Sequence, residues 1–289
     1  MADALQFLLG GLVIGSIYGL IGVGFTCIFN VTGIVNFAQG DFAMVGALSA
    51  IALITGGVPM PLALVLAIVV TCLVAALIER VAIRPVRGDV IRGIIVTIGI
   101  GVVLQGLAVI LWGTDAQPMD AFSGEKPLRI FGATVVPQSL WVVGTSVVLM
   151  IALDLFFRRT YLGQMFRACA INPFAAQLVG MRAGTMSLVS FVMSGALGAI
   201  AGIIIAPIAL TQYDSGLALG IKGFVACIIG GFGGPIGAAL GGLLLGVLEA
   251  FAAGYISSGY KNAIAFVVLL LFLLFRPGGL FGEFEKARA

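Results

Sequence analysis

The sequence predicts an all-α protein, a polytopic transmembrane helical bundle of about 8–9 spans, some of them short or broken. Three observations predict it. Hydrophobic residues make up 61% of the 289 positions, charged residues only 9%, and 42 glycines are added to that apolar background. A soluble domain carries about 25% charged residues and about 7% glycine, and it has to cover its surface with polar groups. The charges that exist are bunched, leaving uncharged runs at 4–40, 42–78, 93–114, 130–153, 183–213 and 223–248. About 20 helical residues cross a bilayer core, so each run holds one span and the two longest hold two. These runs are continuously apolar, which excludes the alternating pattern of a membrane barrel.

Spans are expected near 6–28, 42–56, 61–79, 93–112, 139–157, 186–210, 217–233, 236–256 and 261–275. The start, Met1-Ala2-Asp3, has no basic segment and reads as the approach to a first span, not as a cleaved signal peptide. Arginines cluster in 80–92 and in 158–182, which assigns both segments to the cytoplasm, whereas the mixed-charge 114–137 stretch reads as an extracytoplasmic excursion. This places the N-terminus outside and the 276–289 tail inside. Gly11, Gly15 and Gly19 stand four apart, as do Gly198/Gly202, Gly237/Gly241 and Gly242/Gly246, so each set lies on one helix face where a second backbone can approach.

The expected spans 42–56 and 217–233 are short for a crossing. Interrupted helices in corresponding halves of a transporter line its pathway near the midplane. Asn36, Gln39, Gly40 and Asp41 in the first half, and Gly230, Gly231, Gly233 and Gly234 in the second, are the candidate breaks. The polar trio Asn36, Gln39 and Asp41 either lines that pathway or serves turn capping, with Asp41 starting the 42–56 helix. Glu249 is the one charge well inside an apolar span, facing a water path, contacting another subunit, or reaching the outer interface near Gly254-Tyr255. Asp154 precedes Arg158 by four residues and reads as a helix-end ion pair.

The long cytoplasmic loop, 158–184, carries a further signal. Asn172 is a good N-cap, Pro173 fits the first helical position and Gly180 suits the stop, which encodes a helix of about two turns. Phe174, Leu178 and Val179 fall on one side of it, beside Arg167 and Arg182, and such an amphipathic helix suits a partner's groove.

Several function classes are excluded or disfavoured. There is no histidine, which removes imidazole acid–base chemistry, histidine metal sites and the Ser-His triad, so no enzymatic activity is expected. Cys27, Cys72, Cys169 and Cys227 are scattered singly and read as apolar fillers, with no metal site. A net charge of +3 gives no reason to expect nucleic acid. No phosphate-loop motif occurs, so ATP-driven work would borrow a partner and the chain itself needs no cofactor. A stand-alone ion-coupled secondary transporter or channel is the alternative, and it would need embedded ionisable groups, of which Asp41, Asp154 and Glu249 are the candidates.

The stretch Asn36-Phe37-Ala38-Gln39-Gly40-Asp41-Phe42 is one part of a wider pattern. Arg167-Ala168 with Asn172-Pro173, Ala175-Ala176 and Gly180 is another, followed by Gly230-Gly231, Gly241-Gly242-Leu-Leu-Leu-Gly246 with Glu249, and the Phe275-to-Gly282 ending. Together they resemble the shorter permease subunit of branched-chain amino-acid ABC importers over essentially the whole chain. The resemblance implies a single permease domain over 1–289, in a bacterial inner membrane, that translocates branched-chain or related amino acids. It implies as partners a second, longer permease, two cytoplasmic ATPases that bind the ATP, and an extracytoplasmic binding protein. The 172–180 helix then resembles the coupling helix that docks on the ATPase. Phe174-Ala175-Ala176 stands where the superfamily often has Glu-Ala-Ala, so the usual acidic contact is not implied.

Overall fold

The computed structural model describes residues 2–281 apart from 125, 131, 132, 179, 233 and 277. Its α-helices are α1 (Ala2–Thr32), α2 (Gln39–Thr55), α3 (Met60–Ile78), α4 (Val90–Trp112), α5 (Pro137–Arg159), α6 (Tyr161–Ile171), α7 (Pro173–Leu178), α8 (Ala183–Ile205), α9 (Ser215–Gly230), α10 (Pro235–Tyr255) and α11 (Lys261–Phe275). Six of them are long and apolar enough to cross a membrane: α1, α3, α4, α5, α8 and α10. Three apolar helices, α2, α9 and α11, are shorter, at 15–17 residues. The helical membrane fold is therefore as expected, while the count divides into six full-length and three short apolar helices.

α1 is the central helix. Ile17, Leu20, Ile21, Val23 and Ile28 on it are buried, and α8, α9 and α10 pack around it. Its glycine face meets α10: a methyl group at Gly15 would stand 2.8 Å from the carbonyl oxygen of Gly242, and one at Gly19 would stand 3.0 Å from that of Ala239. Close backbone contact of this kind supplies dispersion where lipid removes the hydrophobic drive between helices. α8 and α2 pack in the same way, with Gly46 against Ala199 and Gly198 against Phe42.

The outer helices show the converse pattern. On α3 the buried positions are small, Ala63, Ala67, Thr71 and Ala75, at every fourth residue, while Leu62, Val65, Val69, Leu73 and Leu77 are exposed. A lipid-facing helix keeps its large apolar side chains outward and turns small ones to its neighbour. α3 continues into a π-helical turn at Glu79–Ile83 and a 3₁₀ turn at Arg84–Val86, where Glu79 pairs with Arg87. Asp89 then caps α4 by accepting from Arg92 N at 3.0 Å.

Gln6 fixes one end of α1: it donates to the Thr134 carbonyl at 2.9 Å and accepts from the Thr134 amide at 2.8 Å. The other end, at Val31, packs with Phe166, Cys169 and Met186. α1 thus runs from the 114–137 excursion to the arginine-rich loop. Burial raises the Cys169 thiol above its ordinary range, in keeping with a filler. The excursion is not wholly irregular, because β1 (Leu128–Ile130) and β2 (Ala133–Val135) form a small antiparallel hairpin. A second departure is the end of α8, which stops at Ile205 and not near 210; the apolar 206–214 stretch that follows is non-helical apart from a turn.

Candidate functional site at two interrupted helices

Gly33, with φ +69°, ends α1 and turns the chain back toward the bundle. The short connection is held by its own polar groups and by α4. Asn36 Oδ1 accepts from Ala38 N at 3.2 Å, its carbonyl accepts from Gln39 N at 3.0 Å, and Thr97 Oγ1 of α4 accepts from Phe37 N at 3.2 Å. Asn36 and Gln39 are fully buried. Gln39 Nε2 donates to the Ser194 carbonyl at 3.2 Å, its amide oxygen accepts from the Ser194 hydroxyl, and Ser194 also reaches the Gly24 carbonyl at 2.9 Å. Gln39 therefore ties α1, α2 and α8 together, whereas Asn36 closes the turn that precedes α2, a helix that starts at Gln39 and not at Asp41.

Asp41 lies two residues further on, 2% exposed, in the first turn of α2. Gln105 Nε2 of α4 donates to its Oδ1 at 3.1 Å. Two glycines make room for this carboxylate: a methyl at Gly101, midway along α4, would stand 2.8 Å from Oδ2, and one at Gly216 would stand 2.5 Å from Oδ1. Gly216 belongs to the first turn of α9. Gly40 completes the junction, since a methyl there would stand 2.5 Å from Gly220 N.

The structure thus brings the first turns of two short helices, α2 and α9, together in the bundle. The stretch before α9 starts beyond the C-terminal end of α4, where Thr211 and Gln117 exchange backbone hydrogen bonds of 2.9 and 3.1 Å. It runs inward with Tyr213 packed against the apolar cluster of α1, α2, α3, α4 and α8 residues, and Gln212 N donates to Ser215 Oγ at 2.8 Å where α9 starts. The positive ends of both helix dipoles point at this junction, where Asp41 sits.

The partner of the 36–41 break is therefore the 206–215 segment, not the expected Gly230–Gly234 stretch. Gly230, Gly231 and Gly234 make the tight turn from α9 to α10, with Gly231 at φ +88° and Gly230 against Gly237. Gly233 lies outside the described residues. This turn also receives the chain's last described segment: Leu280 N donates to the Ile229 carbonyl at 2.8 Å and Phe281 N to that of Gly230 at 3.2 Å.

Glu249 does not reach the outer interface. It is fully buried, accepts from the Tyr18 hydroxyl at 2.9 Å, and stands 2.9 Å from Lys222 Nζ, which also lies 5.3 Å from the centre of the Tyr18 ring. This cluster joins α1, α9 and α10. Lys222 is the residue that sequence reasoning missed, although it is the single cation between Arg182 and Lys261. Asp154 and Arg158 pair at 2.8 Å, as their spacing predicts.

The loop helix forms as α7. Asn172 Oδ1 accepts from Ala175 N at 2.9 Å, Pro173 is the first helical residue, and Gly180 leaves the helix at φ +87°. Ala176 is buried with Phe166, Cys169 and Met186, while Ala175 and Leu178 are exposed. Phe174 lies within α7, and Val179 falls outside the described residues. α6, capped by the Thr160 hydroxyl accepting from Gly163 N at 3.0 Å, precedes it and carries Arg167, which faces a cavity beside α1 and α5.

A bundle of apolar helices, two of which begin inside it, defines a polytopic membrane permease. Residues 7–273 match the family described as "Branched-chain amino acid transport system / permease component", and the chain belongs to that family. It is 35% identical to the high-affinity branched-chain amino acid transport system permease protein BraD of Pseudomonas aeruginosa, covering 98% of this chain and 97% of that one. It is 33% identical to the permease protein LivH of the corresponding system of Escherichia coli K12, with the same coverage of both chains. In fold alone it is similar to a chain of PsaBC from Streptococcus pneumoniae, at a TM-score of 0.53 and 11% identity over 96% of this chain and 94% of that one.

Proposed function

We propose that this chain is a single permease domain forming one half of the pathway of an ATP-driven importer for branched-chain or related amino acids, in a bacterial inner membrane. The observation that carries the reading is the junction of α2 and α9 at Gly40, Asp41 and Gly216, an interruption inside an apolar bundle of the kind that transport pathways use. Family membership and the names of BraD and LivH support the amino-acid cargo. The partners in this reading are a second, longer permease, two cytoplasmic ATPases carrying the ATP, and an extracytoplasmic binding protein that supplies affinity. α7, from Pro173 to Leu178, is the element that docks on an ATPase, with exposed Leu178 in the contact.

Of the embedded carboxylates, Glu249 is engaged by Lys222 and Tyr18, whereas Asp41 accepts from the neutral amide of Gln105, so an ion-coupled carrier is separated from this reading by whether uptake requires ATP. Purification of the chain with its neighbours tests the proposal. An ATPase is expected to copurify, and Leu178→Asp is expected to abolish uptake while leaving the permease folded. Absence of an ATPase together with unchanged uptake by Leu178→Asp would refute the coupling role.

A further inference from the structure

A cavity of about 650 Å³ lies where the ends of α1 and α5 meet α6 and the start of α10. It is separate from the α2–α9 junction and is on the side of the arginine-rich loop. Its lining has two chemistries. Met150 and Phe157 of α5 give it an apolar wall, while Asn30, Asp154, Arg158 and Arg167 give it a polar one. Asp154 is engaged by Arg158 at 2.8 Å, and Arg167 makes no ion pair among the described residues. Two arginines against one aspartate leave the cavity cationic. The Arg158 side chain is 63% exposed, so the cavity opens outward, along a helix whose exposed residues include Val147, Val148, Ile151 and Leu155.

We infer that this cavity binds an anionic phospholipid of the cytoplasmic leaflet. The guanidinium of Arg167, assisted by Arg158, takes the headgroup phosphate, a match of planar donors to phosphate oxygens. The apolar wall of Met150 and Phe157 takes the first part of an acyl chain. A free anion would use the arginines alone and leave the apolar wall unfilled, and a zwitterionic headgroup would bring a cation toward them. Basic crevices between membrane helices on the cytoplasmic side have this preference for anionic lipid. Bound there, the lipid would bridge α5 to α6, the helix that carries α7.

The test uses the full chain, purified from membranes with its associated subunits and placed in nanodiscs of phosphatidylcholine with or without phosphatidylglycerol. Lipid retained after delipidation is counted by native mass spectrometry. Phosphatidylglycerol is expected to be retained over phosphatidylcholine by about five-fold or more, the worth of one surface cation. Arg167→Gln is expected to remove that preference and Arg167→Lys to keep most of it, with both variants unfolding at the wild-type temperature. Equal retention of the two lipids, an unchanged preference in Arg167→Gln, or complete displacement of the lipid by inorganic phosphate would each overturn the inference. No transport assay enters this readout, so its result is independent of cargo and of ATP coupling.

Discussion

Lys222 and Glu249 meet 2.9 Å apart in the interior, at a position where neither a lipid nor a water interface is needed to explain the charge on either. The carboxylate comes from α10, the ammonium from the short helix α9, and Tyr18 of α1 closes the group. This cluster fixes the half-helix whose first turn abuts Asp41. Removing one partner leaves the other as an uncompensated buried charge, which costs about 3–5 kcal/mol, whereas replacing both with apolar groups is often neutral. Glu249→Leu and Lys222→Met are each expected to lower the unfolding temperature in detergent strongly. The double variant is expected to recover most of that loss, a non-additivity that a double-mutant cycle measures directly.

The α1–α10 contact gives a steric prediction with an internal control. Gly15→Ala forces a methyl to 2.8 Å from the Gly242 carbonyl, while Gly10→Ala meets nothing within 4 Å. Overpacking of this kind costs about 1–3 kcal/mol. Thermal unfolding of the purified protein should show Gly15→Ala destabilised and Gly10→Ala as stable as the parent or slightly more so, since alanine is the better helix former.

At the junction, charge and hydrogen bonding separate. Asp41→Asn keeps an oxygen for Gln105 Nε2, and Asp41→Ala leaves that amide without its partner. An orphaned buried donor costs about 1–3 kcal/mol, so Asp41→Ala is expected to lose stability and Asp41→Asn to retain it. Reduced uptake by the well-folded Asp41→Asn protein is the expected sign that the carboxylate itself serves the pathway.

The cap of α7 is the fourth test. Asn172→Ala removes the acceptor for Ala175 N and costs about 1 kcal/mol of local helix stability, while Asn172→Asp keeps it. Hydrogen exchange in α7 should quicken in the alanine variant, and uptake per ATP hydrolysed should fall in parallel.

Much of this architecture was legible in the residues. Charge-free runs located the membrane helices, glycines four apart marked faces for close packing without saying which helices meet, and Asn172-Pro173 with Gly180 encoded α7. The Asp154–Arg158 pair followed from its spacing alone. What escaped reading has a physical cause in each case. Residues 206–214 are mostly apolar, so hydropathy runs straight through the end of α8, and Pro207 was the one local sign of an interruption. The glycines at 230–234 looked like a broken span because glycine serves both a pathway break and a tight helix–helix turn; only packing distinguishes them. The partners of Glu249 are Tyr18 and Lys222, 231 and 27 residues away in sequence, and no periodicity on one helix reveals such a meeting.

The most direct test of the central claim is uptake of labelled leucine into proteoliposomes holding the chain with its copurifying subunits and the binding protein. Uptake is expected to require ATP, to be abolished by Leu178→Asp while ATP hydrolysis persists, and not to be supported by a proton or sodium gradient in place of ATP. Uptake by the isolated chain, driven by such a gradient without ATP, would contradict the claim.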